Sequence, residues 1–437
     1  LGHVQAASFG DASDRATISA GTGDAIVISS CSYITVQGLI LQGCGRTQGS
    51  NGSGVVLKST KCVIVMNVEA YGFRLCGVTT SSDVATRLMH LNVHDNGAAG
   101  INVCGASDTD RSVNAYIGFC TADNNPGDPL NTTNHSGNGI IVGNVDCSLI
   151  EWFHASNNGW DRPRPGNGPV GIWCWSCSSV TIQHCISHDN RSPGQDGGGF
   201  DLDGGVQNST LQYNLSYNNI GCGFLLCQYP GAAAWKSNTV RFNISFNDGQ
   251  KNMQCGIGLY VSTGNMSDCQ IYHNTVINHI NAVRTVGSVP GFIFRNNVFI
   301  SDGEVLCATL GDFNDSRFEG NLYWRTTSGP FLVNTTQTYG TLNQWATATG
   351  QEMVGGKMVG LFSDPCLSMP SQGYDNLPVD PSSLMSLPLF RPLKSSPCLG
   401  HHQAIPGSGG IDLAGDKPSD PTAPALGALE PALPIKK

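Results

Sequence analysis

The sequence predicts an all-β fold, a single-stranded right-handed parallel β-helix that is followed by an irregular C-terminal segment. The first observation is a series of Asn- or Asp-containing pairs, which begin at residues 95, 124, 157, 189, 218, 247 and 278. Their spacings are 29, 33, 32, 29, 29 and 31 residues. A nearly constant period of this size is typical of a solenoid, in which each unit buries its apolar side against its neighbours.

The second observation is that each repeat holds strand-like segments on both sides of the Asn/Asp pair. One segment ends at the pair, as in residues 211–217, and the next opens with Gly, as in residues 223–226. Apolar residues alternate with period two, and no stretch has a convincing 3.6-residue period, so strands are favoured over helices. Asn and Gly suit the corners because they tolerate left-handed backbone angles.

One position of the repeat predicts a polar ladder inside the coils. Asn214 and Asn243 occupy equivalent places in successive repeats, and Cys185 has the same place one coil earlier. We expect the two Asn side chains to stack at an inward-facing bend and to hydrogen-bond each other. Their Asn-x-Ser sequons are then a consequence of the repeat and do not indicate glycosylation.

The repeat also predicts the organisation of the chain. Residues 1–325 read as β-helix coils, and residues 326–437 as final coils and a Pro-rich segment packed on the helix, with a short helix at residues 342–347. Residue 1 falls in what reads as mid-coil sequence, so we expect further sequence upstream, including a secretion signal.

Composition excludes two classes of partner. The 437-residue chain has 55 Gly, 13% charged residues and a formal net charge of −9. Nucleic-acid binding needs a basic face, which this balance does not supply. No run of eighteen apolar residues is present, so no membrane span is expected.

Candidate functional residues emerge when the Gly-led strands of successive coils are aligned. Their outward-pointing set includes aromatic and acidic residues: Trp173, Trp175, Asp201, Asp203 and Tyr260. Neighbouring outward carboxylates repel each other and do not stabilise a sheet, whereas exposed aromatic rings are surfaces on which sugar rings stack. We therefore expect a polysaccharide substrate, with Asp201 and Asp203 as catalytic residues and the aromatic residues as substrate contacts. The alternative is that the two Asp residues are ordinary solvated residues and that the Trp pair covers a loop.

Two further residues are candidates for the same site. The loop of residues 160–169 is long enough to form one wall of a groove, and its Arg162 either contacts substrate or belongs to a solvated rim. Asp196 lies just before the strand that carries Asp201. It either joins the catalytic carboxylates or caps the corner of the coil.

The paired aspartates predict a glycoside hydrolase without a cofactor. Residues i and i+2 of a strand begin about 6.6 Å apart. This separation is near the lower edge of the roughly 6.5–9.5 Å of an inverting carboxylate pair. One Asp would then be the acid, with its pKa raised by like charge, and the other would activate water.

A family resemblance offers an alternative chemistry. Residues 196–204, Asp-Gly-Gly-Gly-Phe-Asp-Leu-Asp-Gly, are similar to the Asp-Asp-Gly-Phe-Asp-Leu run of the family-nine pectate lyases. The resemblance implies Ca²⁺ held by Asp196 and Asp201, with Asp203 as a possible addition, and a Ca²⁺-dependent polysaccharide lyase. Leu225 stands where that family has its Lys base, which favours the hydrolase and no metal.

A wider resemblance concerns fold and location. Residues 395–400, 412–415 and 425–430 are similar to the closing segment of secreted bacterial β-helix proteins of the pectin-lyase-like superfamily. The resemblance implies an extracellular or periplasmic protein. A third possibility is not enzymatic: uncapped β-helix ends can template association, so a filament-forming structural protein is the alternative to both enzymes.

Overall fold

The structure is a computed structural model that describes residues 15–432 except 48, 252–253, 335–336, 371–375, 409 and 419. Most of the described strands form three parallel sheets, and most coils contribute one strand to each sheet, so the prediction of a right-handed parallel β-helix is confirmed. The chain divides into two units, residues 1–181 with 187–201 and residues 182–186 with 202–437.

In the first unit, sheet 1 holds the strands that end at the Asn/Asp corners, sheet 2 the strands that follow these corners, and sheet 3 the strands that precede sheet 1. Sheet 1 comprises Ala16–Ser19, Leu39–Gln42, Glu69–Tyr71, Asn92–His94, Thr121–Asp123 and His154–Ser156. Sheet 2 comprises Ile26–Ser29, Val55–Lys58, Cys76–Ser81, Ala99–Cys104, Asn138–Gly143 and Val170–Trp175. Sheet 3 comprises Thr35–Gln37, Ile64–Met66, Arg87–Met89, Tyr116–Gly118 and Leu149–Glu151, and Ser112–Val113 pairs with Val145–Asp146. The division between the units falls within the strands Thr181–Gln183, Ile186–His188 and Gly198–Leu202.

The second unit repeats the same three sheets and adds the C-terminal segment. Sheet 1 comprises Leu215–Tyr217, Ile244–Phe246, Thr275–Asn278, Val298–Ser301, Leu322–Arg325 and Leu361–Phe362. Sheet 2 comprises Phe224–Gln228, Ile257–Val261, Val283–Val286, Leu306–Thr309, Leu332–Val333 and the antiparallel Thr338–Tyr339. Sheet 3 comprises Thr210–Gln212, Trp235–Arg241, Met266–Tyr272, Ile293–Arg295 and Arg317–Glu319. The remaining elements are the helix Leu342–Thr349, the hairpin Met353–Val354 with Lys357–Met358, and the 3₁₀ helix Pro381–Ser386.

The Asn/Asp pairs form the corners of the coils. Their first residues have left-handed backbone angles, with φ between 50° and 57° at Asp95, Asn124 and Asn157 in the first unit and at Asn218 and Asn247 in the second. Asn and Asp adopt this conformation more readily than other residues with a side chain. This preference explains why the pairs recur once per coil.

The polar ladder predicted at Asn214 and Asn243 is confirmed. The Asn214 amide donates to Asn243 Oδ1 at 3.0 Å, and the Cys185 backbone N–H donates to Asn214 Oδ1 at 2.9 Å. Both Asn residues are fully buried, so their sequons are inaccessible. The ladder satisfies backbone groups that would otherwise be buried without a partner, since the Asn214 amide also donates to the Ile182 carbonyl.

The C-terminal segment packs on the outer face of sheet 1 in the second unit. Leu384, Phe390, Leu413 and Leu426 of this segment join Ile244 and other sheet residues in one buried apolar cluster. The predicted short helix is confirmed as Leu342–Thr349, which begins with a capping box and ends at Gly350 with φ 76°. The coil boundary at residue 325 stays a prediction. No helix among the described residues is long and apolar enough to cross a membrane.

Candidate active site

The prediction that alternate residues of the sheet 2 strands point into the core is confirmed. Ile172 and Cys174 of strand Val170–Trp175 are fully buried, as are Phe200 and Leu202 of strand Gly198–Leu202. The residues between them therefore point away from the core. Their surroundings differ from the expectation, because loops also cover part of the outer face.

The prediction that the Asp201 side chain is solvent-accessible is wrong. Asp201 is 4% exposed, and every residue of its strand is buried. Asp203 follows the end of this strand and is partly buried. Asp201 belongs to the first unit and Asp203 to the second.

The prediction that Trp173 exposes its ring to a sugar is also wrong. It is 5% exposed and packs in an apolar cluster with Ile141 and Val170, so it offers no ring face to a sugar. Its indole N–H donates to Asn138 Oδ1 at 3.0 Å, and the His135 imidazole lies edge-on against it at 4.9 Å between ring centroids. The loop that carries His135 thus covers an outward position that the strand pattern alone marks as exposed.

Trp175 keeps part of its surface in solvent, as predicted. Its indole lies directly over Gly143 on the neighbouring strand, where an added Cβ would be 2.3 Å from the ring. A side chain at position 143 would therefore displace the indole from this place. Of the two Trp residues in this strand, Trp175 is the one suited to stack against a ligand.

Arg162 also differs from the prediction, because its side chain is buried between two loops and does not face solvent. It is 3% exposed, and its guanidinium donates to Ser192 Oγ at 2.9 Å and to the Gln195 carbonyl at 3.0 Å. Burial, with a contribution from Arg164, lowers its pKa to about 10, although Asp196 acts in the opposite direction. Arg162 therefore joins the loop of residues 160–169 to the loop of residues 191–197.

Asp196 lies at the meeting point of these two loops. It is partly buried, has a left-handed φ of 60°, and accepts a hydrogen bond from the Gly168 backbone N–H. Burial raises the pKa of its carboxyl group, against the lowering effects of the Gly168 hydrogen bond and of Arg162 and Arg164. A carboxyl group that keeps its proton more readily than usual is suited to act as a general acid.

His135 is a part of this region that sequence reasoning missed. Its Nδ1 lies 3.2 Å from the Asn138 amide nitrogen, which acts as the donor. Burial, reinforced by the nearby Arg164 and Arg162, lowers the His135 pKa to about 4. The imidazole is therefore neutral at physiological pH. The single sequence signal was a His three residues before Asn138, which does not distinguish a site residue from an ordinary loop histidine.

The residues do not fit a Ca²⁺ site of the lyase type. Among the described residues, no group of three or more His, Cys, Asp or Glu side chains could hold a metal ion. The Asp196 carboxylate already accepts the Gly168 N–H and lies near two Arg residues, which oppose a cation. Leu225, at the position of the lyase base, is 7% exposed and packs with Cys222 and Cys255 in the second unit.

Tyr260, the remaining predicted substrate contact, belongs to the second unit. It is partly exposed and packs against the same small cluster of Cys222, Leu225 and Cys255. Its strand partners are Cys227 and Val286. A role in substrate binding stays a prediction.

A second set of ionisable residues lies on the outer face of sheet 1 in the first unit. His154 Nε2 and His188 Nε2 are 2.8 Å apart, and His188 Nδ1 is 2.7 Å from Asp189 Oδ2. His94 Nδ1 is likewise 2.7 Å from Asp95 Oδ2. The His-Asp-Asn sequence that occurs at residues 94–96 and again at 188–190 is the signal by which these pairs could have been found.

Comparison with known proteins agrees with the fold. The family described as right handed beta helix region matches residues 130–299, which is less than half of the chain. Comparison with curated proteins finds no match.

Several solved structures have a similar fold. Pectate lyase Pel9A has 14% identity and a TM-score of 0.49, covering 95% of this chain and 88% of the lyase. The GH136 lacto-N-biosidase from Eubacterium ramulus has 18% identity and a TM-score of 0.42, covering 62% of this chain. This chain spans about half of the biosidase, namely 48%. The periplasmic alginate epimerase AlgG has 12% identity and a TM-score of 0.44, covering 71% and 75% of the two chains. Likenesses at this level concern the fold and do not decide an activity.

Proposed function

We propose that this chain is a secreted, polysaccharide-active protein that hydrolyses glycosidic bonds with carboxyl groups at the loop-covered outer face of sheet 2. The observation that carries the proposal is the contrast between two acidic residues of the first unit. Asp196 lies in a loop junction near Arg162 and Arg164, where burial raises its pKa, whereas Asp201 lies five residues later within a strand, on its outward side and 4% exposed. Acids held in different environments can divide the roles of acid and base.

In the proposed reaction, Asp196 donates its proton to the oxygen of the leaving sugar. Asp201 in its carboxylate form removes a proton from the water that attacks the anomeric carbon. A general base needs contact with one water molecule, so the small exposure of Asp201 is compatible with this role. Asp203 is the other catalytic acid predicted from the sequence, and its Asn variant is measured in the same assay as those of Asp196 and Asp201.

One feature supports a polysaccharide as the substrate, and another bears on the reaction. The half-buried Trp175 ring on Gly143 offers an aromatic surface of the kind against which sugar rings stack. Asp196 accepts the Gly168 N–H and lies near Arg162 and Arg164, an environment that opposes Ca²⁺, so we favour hydrolysis over the metal-dependent lyase reaction.

The test is a reducing-sugar assay on neutral and acidic polysaccharides, with ultraviolet absorbance followed in parallel to detect the unsaturated products of a lyase. Asp196→Asn, Asp201→Asn and Asp203→Asn keep the side-chain shape and remove acid–base capacity. We expect turnover to fall about 10²-fold or more in the first two variants. Asp161→Asn is the matched control, since its side chain is 53% exposed and pairs with Arg46 at the surface.

Three outcomes would contradict the proposal. Wild-type turnover in Asp201→Asn would remove this residue from the reaction. Unsaturated products that require Ca²⁺ would favour the lyase alternative. Inactivity on every substrate, together with regular filaments in electron micrographs, would favour a structural protein.

A further inference from the structure

A cavity of about 590 Å³ lies in the second unit, between the outer face of sheet 1 and the C-terminal segment at residues 364–370. Its volume is within the range of pockets that hold small organic ligands. None of the residues discussed for hydrolysis lines it. The cavity therefore requires an explanation of its own.

The floor of the cavity is an apolar row that crosses four neighbouring strands. Phe246 pairs with Ile277, Ile277 with Ile300, and Ile300 with Trp324. Three strand spacings make this row about 14 Å long. The aromatic residues stand at its two ends, and both are partly exposed. Ile277 and Ile300 are buried in the apolar cluster with the C-terminal segment, so a ligand meets this row at its aromatic ends.

One wall of the cavity is polar, because it is built from the residues that follow the floor strands. Asp302 accepts hydrogen bonds from the His279 imidazole and from the Thr326 hydroxyl. The His279 side chain is 66% exposed, so it lies at the rim, where a ligand can reach it. This wall offers hydrogen-bond donors and acceptors beside the apolar floor.

The opposite wall comes from the C-terminal segment and adds a second carboxylate. Asp364 is exposed, and its Oδ1 accepts the Cys366 backbone N–H at 2.8 Å. Leu367 and Met369 line the same side. Of the described residues that line the cavity, two are Asp and none is Lys or Arg. An anionic ligand would meet like charge without a basic partner.

We propose that this cavity binds a neutral oligosaccharide, with sugar rings stacked on Trp324 and Phe246 and hydroxyl groups bonded to His279, Asp302 and Asp364. A sugar ring combines an apolar face with a rim of hydroxyl groups, and carboxylates are strong acceptors for these hydroxyls. The absence of a basic residue among the described lining residues selects against uronic sugars. The inference does not depend on hydrolysis at Asp201.

Isothermal titration calorimetry with cellotetraose, xylotetraose, mannotetraose and, as the anionic comparison, tetragalacturonate tests the proposal. We expect one or more of the neutral probes to bind, and tetragalacturonate to bind more weakly. Trp324→Ala should weaken binding about fivefold or more through loss of a stacking face. His279→Ala, at an exposed rim position, should weaken it about threefold and leave the fold intact.

A control variant away from both sites is Asp161→Asn, whose side chain is 53% exposed in the first unit. It should leave calorimetric binding unchanged, and Trp324→Ala should be checked for folding by circular dichroism. Failure of all three neutral probes to bind would overturn the inference. Tighter binding of tetragalacturonate, or binding unaffected by both Trp324→Ala and His279→Ala, would overturn it as well, whatever the fate of the hydrolase proposal.

Discussion

The two units carry different kinds of side chain at the same outward position of the sheet 1 strands. In the first unit this position holds Tyr71, His94, Asp123 and Ser156 on neighbouring strands. In the second unit it holds Tyr217, Phe246, Ile277, Ile300 and Trp324. The apolar set packs largely against the C-terminal segment, whereas the polar set pairs with charged neighbours at the surface. The apolar row of the second unit therefore coincides with the segment that covers it.

A column of stacked rings at the corner between sheets 3 and 1 shows the same contrast. In the first unit the Phe119 ring stacks on His90 with centroids 5.1 Å apart, and Phe119 is 48% exposed. In the second unit Phe242 stacks on Tyr213 at 5.5 Å and is 6% exposed. Both Phe residues have left-handed backbone angles, with φ of 57° and 52°. The local geometry is the same, and the difference lies in what covers it.

The largest expected effect tests this column directly. Phe242→Ala should lower the free energy of unfolding by about 3–5 kcal/mol, because it leaves a cavity under the C-terminal segment. Phe119→Ala, the matched variant, should cost about 1 kcal/mol or less because half of the ring is already in solvent. Denaturant unfolding of both variants measures the difference. Equal losses in the two variants would mean that the covering segment contributes no stability at this position.

A pH-dependent effect of intermediate size is expected in the second unit. Burial raises the pKa of Glu352 from 4.5 to about 7, although Asn321, Tyr323 and Gly320 donate hydrogen bonds that lower it. The folded protein therefore keeps a proton that the unfolded chain releases between about pH 4.5 and 7, so stability falls as the pH rises through this window. We expect a loss of roughly 1–3 kcal/mol.

Hydrogen exchange of peptides that contain strand Arg317–Glu319, measured from pH 4.5 to 8, follows this loss. Glu352→Gln cannot ionise and should flatten the dependence, although it exchanges one acceptor for an amide donor. An unchanged slope in Glu352→Gln would assign the dependence to other groups. Asp248, whose pKa is also raised by burial to about 7, is the first of these.

The smallest expected effect concerns the polar face of the first unit. His94 lies between Asp95 and Glu69, and its side chain is 24% exposed. Because partly exposed ion pairs contribute little, His94→Ala should change the free energy of unfolding by about 1 kcal/mol or less. Ile277→Ala at the equivalent strand position of the second unit should cost about 2–5 kcal/mol. A loss of that size in His94→Ala would show that the polar face is structural.

The coils could be predicted from the sequence because their determinants are local. Left-handed corners at Asn124 and Asn218, the inward register of Ile172 and Cys174, and the ladder of Asn214 and Asn243 all follow from short patterns that repeat. Each pattern is set by neighbours along the chain and by an equivalent residue one coil away. The period therefore supplies both the element and its partner.

The candidate site could be predicted less well, because the exposure of its residues depends on loops that cover the strands. The alternation of side chains correctly places Trp173 and Asp201 on the outer side of their strands. It does not show that His135 lies on Trp173, or that Arg162 turns away from solvent to join two loops. Loop contacts of this kind link residues about 30 or more positions apart, and no repeat marks them.

Local sequence patterns specify the parallel β-helix, its corners and its internal ladder, because backbone geometry and stacking carry the pattern of one coil into the next. Which outward residues meet solvent depends on long-range packing. It buried Trp173 and Asp201, left part of Trp175 exposed, and placed the C-terminal segment over the apolar floor that ends at Trp324. The physical reason is that the direction of a side chain is a local property of a strand, whereas its exposure depends on every segment that packs above it.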